Sequence, residues 1–111
     1  MKTKYNLELF KLQAELCKTF ADPSRLIIIQ ELRDGEKSVS ELQAVLDIPQ
    51  PVVSHHLAIL KNKGVVQPRR DGKSTYYHLP NPKICEACDI VHEILVHQMK
   101  ANHELTKKLV G

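Results

Sequence analysis

At 111 residues and 42% hydrophobic composition, the chain has enough apolar material for one modest core and too little for a second domain. A net charge of +3 permits a polyanionic partner without demanding one, and helix formers dominate a chain that has no Trp. The stretch from Met1 to Glu8 is too polar for a secretory signal, and purely apolar runs such as Leu26 to Ile29 are far too short to cross a bilayer. The expectation is a cytoplasmic protein without a membrane partner. Three cysteines, an odd number, argue against a disulfide scaffold and leave thiols available to metals or oxidants.

Tyr5 to Phe20 spaces its apolar residues (Leu7, Phe10, Leu12, Leu16, Cys17, Phe20) as a helix does. Asp22-Pro23 restarts the chain as N-cap and first helical residue, and predicts a second helix from about Pro23 to Arg33 that is central and buried through Leu26, Ile27, Ile28, Ile29 and Leu32. Asp34-Gly35 ends it. Ser38-Val39 leaves room for a tiny strand at most. Ser40 with Gln43 fits a capping box for a short third helix, about Glu41 to Leu46. After the break at Asp47-Ile48-Pro49, a fourth helix starts near Pro51, buries Val53, Leu57 and Leu60, and closes at Lys63-Gly64. Val65-Val66 and Thr75-Tyr76-Tyr77 read as strands around a hairpin turn at Asp71-Gly72, with Pro68 suited to an edge. Asn81-Pro82 then caps a last helix reaching about Leu109.

Two short helices followed by a hairpin describe a winged helix-turn-helix, mainly α with a small β-hairpin, whose usual partner is duplex DNA. The start of the fourth helix offers Gln50, Ser54, His55 and His56 to base edges or phosphates, with Lys61 further along it. The hairpin adds Arg69, Arg70 and Lys73 as a positive finger.

"FADPSRLIIIQEL", "SVSELQ", "VSHHLAILKNKGVV" and "RRDGKSTYYHL" resemble, in order and spacing, the ArsR/SmtB family of repressors. The resemblance implies a homodimer formed by the first and last helices, a DNA-reading fourth helix, and an inducer that releases the DNA. It places Gln50, Ser54, His55 and His56 at DNA. The family usually has small hydroxyl residues where this chain has Pro49, Pro51 and Val52. The expected layout is a single domain over 1–111, with the helix-turn-helix at about 40–63, the wing at about 65–79 and dimerisation helices at about 5–20 and 82–109. Two reading helices on a two-fold axis, about 34 Å apart, fit an inverted-repeat operator.

Cys85, Cys88, Asp89 and His92 share one helical arc, and thiolates at that spacing suit zinc, cadmium or trivalent arsenic. If the first and last helices meet as the resemblance implies, Cys17 with Cys85 and Cys88 is the leading inducer site, within or across subunits. Redox or persulfide chemistry at Cys85 and Cys88 is the alternative, because the first turn of a helix favours an anionic sulfur. Buried cysteines acting only as small apolar residues are a third reading, which leaves a DNA binder without thiol sensing. Of two metal sites known in the family, the cysteine cluster on the third helix is absent from "SVSELQAVL". The zinc site of the last helix is half present in His92 and His103, with Ile90 and Thr106 replacing its other ligands. No βαβ alternation, carboxylate pair or phosphate loop suggests an enzyme.

Overall fold

The computed structural model describes residues 4–110, apart from the side chains of Thr106 and Val110. The place of Thr106 in the half zinc site therefore lies outside the described residues, as do residues 1–3 at the polar start. The chain forms two compact units, Met1–Asn81 and Pro82–Gly111.

In the first unit, α1 (Leu7–Lys18) is capped by Asn6, whose side chain accepts from the Leu9 N–H at 3.2 Å. Asp22 caps α2 (Pro23–Glu31) in the same way, and Pro23 occupies a first-turn position where no N–H is needed. A 3-10 turn, Leu32–Asp34, leads into β1 (Lys37–Ser38) and α3 (Val39–Leu46). The capping box at α3 is Ser38 with Glu41, two residues ahead of the expected Ser40 and Gln43. The Ser38 hydroxyl accepts from the Glu41 N–H at 3.1 Å, and a Glu41 carboxylate oxygen accepts from the Ser38 N–H at 3.2 Å. Asp47 ends α3 in the left-handed region (φ 53°), a conformation that its short side chain tolerates.

Next comes α4 (Gln50–Asn62), closed by a Schellman motif at Gly64 (φ 74°). There the Val65 N–H reaches the Leu60 carbonyl at 2.9 Å and the Gly64 N–H reaches Lys61 at 2.9 Å. Strands β2 (Gln67–Asp71) and β3 (Ser74–His78) form the hairpin. Asp71 pairs with Ser74, so the loop is Gly72-Lys73 with only Gly72 at positive φ (62°), as a type II′ turn requires. The sheet runs β1-β3-β2, which puts Pro68 on an edge strand. β1 is a third strand that sequence periodicity barely hinted at.

The core of this unit is a seam of Ile28, Ile29 and Leu32 with Leu42 of α3 and Val53, Leu57 and Leu60 of α4. Val66 is fully buried and lies before β2, so this pair of β-branched residues plugs the core and does not begin the strand. Leu26 and Ile27 are exposed, so α2 buries one side only. None of the α1 residues is buried.

The second unit is one long helix, α5 (Lys83–Val110), of 28 residues. Ile90, Val91, Ile94, Leu95, Met99, Leu105 and Leu109 are exposed along it. Among the described residues no helix is long and apolar enough to cross a membrane.

Truncating Leu57 to Ala should lower unfolding stability by about 2–5 kcal/mol, because the site is closed on all sides. Ser38→Ala should cost about 1 kcal/mol through the lost cap. Urea unfolding followed by circular dichroism checks both.

Candidate nucleic-acid interface

Burying Val53, His56, Leu57 and Leu60 against the seam leaves the opposite side of α4 to solvent. At about 100° per residue, Gln50, Ser54 and Lys61 fall within about 40° of one another, with His55 about 100° further round. All four are exposed. Pro49 provides no side-chain cap, Pro51 carries no N–H, and the Val52 and Val53 N–H groups bond the Pro49 carbonyl at 3.0 and 3.3 Å, so side chains rather than backbone donors give this end of α4 its polar character.

His56 is not on that side. Its side chain is 11% exposed, with Nδ1 3.2 Å from Arg25 Nη1 and Nε2 3.9 Å from Asp22 Oδ1. The expectation that His56 stands beside Ser54 and His55 facing DNA gives way to this inward geometry. A guanidinium has no acceptor, so Nδ1 must accept and the ring proton resides on Nε2. Asp22 itself is partly buried, which pushes its carboxyl up. The Ser24 and Arg25 backbone N–H groups, with His56 and the Arg25 charge nearby, overcome that push and hold it below the usual aspartate value.

The cations of the wing divide by pairing. Arg69 is tied down: its guanidinium forks onto Glu36, with Nε to Oε2 at 3.0 Å and Nη2 on Oε1. It also lies 5.1 Å from the centre of the Tyr76 ring, its cross-strand partner, and 3.8 Å from Asp71 Oδ2. The hydrogen bonds from Arg69 hold the Glu36 carboxyl below its ordinary value, and Glu36 in turn raises Arg69. Arg70, on the alternate face of β2, and Lys73, in the loop, are exposed and have no ion-pair partner among the described residues. Lys61 is likewise unpaired there. Glu36 carries no local sequence signal; only the β1–β3 pairing brings it to the wing.

The three cysteines are thiols. Cys17 is exposed, Cys85 buried and Cys88 half-buried. Among the described residues no group of three or more His, Cys, Asp or Glu is arranged to hold a metal ion. Within α5, Cys85 and Cys88 remain an i, i+3 pair, and His92 and His103 are exposed.

The sequence profile of bacterial regulatory proteins of the arsR family matches residues 22–67, which covers α2, the helix-turn-helix and the start of the wing. An HTH-type transcriptional regulator of Methanocaldococcus jannaschii is 36% identical over 89 residues, covering 79% of this chain and 100% of that protein. A biofilm growth-associated repressor of Agrobacterium fabrum is 41% identical over 81 residues, covering 73% of this chain and 69% of that one. The chain belongs to the ArsR family. The crystal structure of Rv0081 from Mycobacterium tuberculosis superposes with a TM-score of 0.76 at 33% identity, over 85% of this chain and 95% of that one. As an ArsR-family member the protein is a DNA-binding transcriptional repressor and not an enzyme. Its winged helix places α4 and the β2–β3 wing on one unit, which is the part the family profile covers for most of its length.

Arg70→Ala and Lys73→Ala should each weaken binding to any duplex and reduce the slope of log K against log salt by about 1. Anisotropy titrations at stepped salt measure this. Glu36 has a lowered folded-state value, so its contribution to stability is full above the ordinary glutamate value and lost as pH falls through the lowered one. The stability gap between wild type and Glu36→Gln should therefore be widest near neutral pH and close in acid, as urea unfolding at stepped pH would show.

Proposed function

We propose that the chain acts as a homodimeric repressor on an inverted-repeat operator and that Cys85 and Cys88 govern its release. Gln50, Ser54 and His55 read base edges in the major groove, while Lys61, Arg70 and Lys73 engage phosphates. The observation that carries this reading is the division of α4 into a buried apolar side and an exposed polar side, with two unpaired cations on the wing of the same unit. A second copy supplies the dimer. α1 has no buried residue, and α5 exposes apolar side chains along its length, more than a single chain covers.

Two inducer chemistries suit the thiols. A soft ion such as arsenite, cadmium or zinc needs a third ligand that one chain does not assemble among its described residues, so Cys17, His92 or His103 would come from the second copy. Oxidation needs only the pair: residues three apart on a helix have Cβ atoms about 5–6 Å apart, so the first turn of α5 has to tighten by about 1–2 Å to form the bond. Cys88, half-buried, meets the oxidant first. An S–S bond to Cys85 forms as two protons and two electrons pass to a peroxide or polysulfide. The pair alone suffices, which favours this second chemistry.

The test is an anaerobic anisotropy titration of reduced protein on the DNA upstream of its own gene, followed by arsenite, cadmium, zinc, and separately peroxide or polysulfide. Release by oxidant or polysulfide that Cys85→Ser and Cys88→Ser abolish is the expected result. Release by a metal alone would instead support the soft-ion chemistry. If neither releases the DNA, thiol control is wrong. Equal, weak binding to operator and random duplex at every salt concentration would contradict the repressor reading itself.

A further inference from the structure

One side chain connects three helices of the first unit, and none of the DNA contacts above makes use of it. Arg25, in the first turn of α2, donates from Nε to the Thr19 carbonyl at 2.7 Å and from Nη1 to His56 Nδ1 at 3.2 Å. Thr19 is the C-cap of α1 and is 4% exposed. Its carbonyl belongs to the last turn of α1, where no helical N–H follows to bond it and where a cation is favoured by the helix dipole. His56 is on α4, buried about 160° round the helix from Ser54 and about 100° from the exposed His55, whose ring centre is 6.0 Å from its own. Asp22 closes the cluster by capping α2 through the N–H groups of Ser24 and Arg25, the latter from the same residue that makes the bridge.

We propose that Arg25 is a positioning residue that sets the angle of the reading helix by bridging the end of α1 to His56 on α4. The proposal rests on α4 reading DNA, as argued above. The fork geometry matters because one planar guanidinium donates in two fixed directions at once, which an ammonium group cannot do. The acceptor matters equally. A half-buried Nη1 N–H left without a partner would favour a rotated or shifted α4 that lets it reach another acceptor or water. Base readout depends on where Ser54 and His55 sit to within a fraction of an ångström, whereas phosphate attraction does not. Loss of the bridge should therefore reduce discrimination between sequences far more than it reduces general DNA affinity. α1 also exposes apolar residues along its length, so a change in how α1 is held would reach α4 through this bridge.

The experiment compares two duplexes of equal length: one enriched from a random pool by the wild-type protein, and one unselected. Anisotropy gives the affinity ratio for wild type, Arg25→Lys, His56→Leu, His56→Asn and Ser54→Ala, with helix content checked by circular dichroism. Arg25→Lys keeps the charge and loses the fork, and His56→Asn puts an amide oxygen where Nδ1 stood. The ratio should fall by about tenfold in Arg25→Lys and in His56→Leu, while affinity for the unselected duplex stays within about twofold. His56→Asn should restore most of the ratio. If Arg25→Lys and His56→Leu leave the ratio unchanged while Ser54→Ala lowers it, α4 reads DNA without the bridge and the inference is overturned. An equal loss in His56→Asn and His56→Leu would also overturn it, because the acceptor would then be irrelevant. If Ser54→Ala too leaves the ratio unchanged, α4 is not the reading helix and the inference falls with that assignment.

Discussion

The orientation of α4 is the constraint on which the rest of this protein depends. Val53, Leu57 and Leu60 are completely buried against Ile28, Ile29 and Leu42. Burial of one such side chain is worth about 1.5–3 kcal/mol, so turning α4 by one residue, which would expose several, is out of reach for a domain of ordinary stability. The apolar side therefore dictates which residues are left outside. Gln50, Ser54, His55 and Lys61 are outside because they are not on the seam. The flanking joints serve the same end. Asp47 in its left-handed conformation turns the chain between α3 and α4, and the Schellman motif at Gly64 sends it from α4 through the buried Val66 into the wing.

Electrostatics then sorts the cations that composition alone would count as equal. Arg69 is engaged twice, by the Glu36 carboxylate and by the face of Tyr76, and this pins the wing strand to the short β1–β3 pairing. Arg70 and Lys73 have no such partners among the described residues and stand available to a polyanion. A net charge of +3 understates how the positive charge is distributed, since several of the acidic residues are committed to caps and pairs within the fold.

Much of this was legible in the residues. Asp22-Pro23 announced the start of α2, the apolar spacing of Val53, Leu57 and Leu60 defined the seam side of α4, and the hairpin turn near Gly72 followed from its dipeptide. The misses share a cause, which is that the deciding partner was distant in sequence. Ser38–Glu41 and Ser40–Gln43 are both capping-box patterns, and the strand at Lys37–Ser38 that hands the chain to α3 settles between them. Val65-Val66 has the composition of a strand, but the core beneath α4 takes it first. His56 sits next to His55 in sequence and shares its expected role; only Arg25, 31 residues away, shows why it turns inward. Glu36 carried no local signal at all, because its role depends on the wing folding back to β1.

In the proposed complex the exposed side of α4 lies in the groove of the operator. A photo-crosslinking amino acid placed at Ser54, irradiated on the operator duplex and mapped to individual nucleotides, tests that claim directly. Adducts on bases at two symmetric positions about one helical turn apart are the expected result. Adducts confined to the sugar–phosphate backbone, or none from Ser54 while the repressor remains bound, would contradict it.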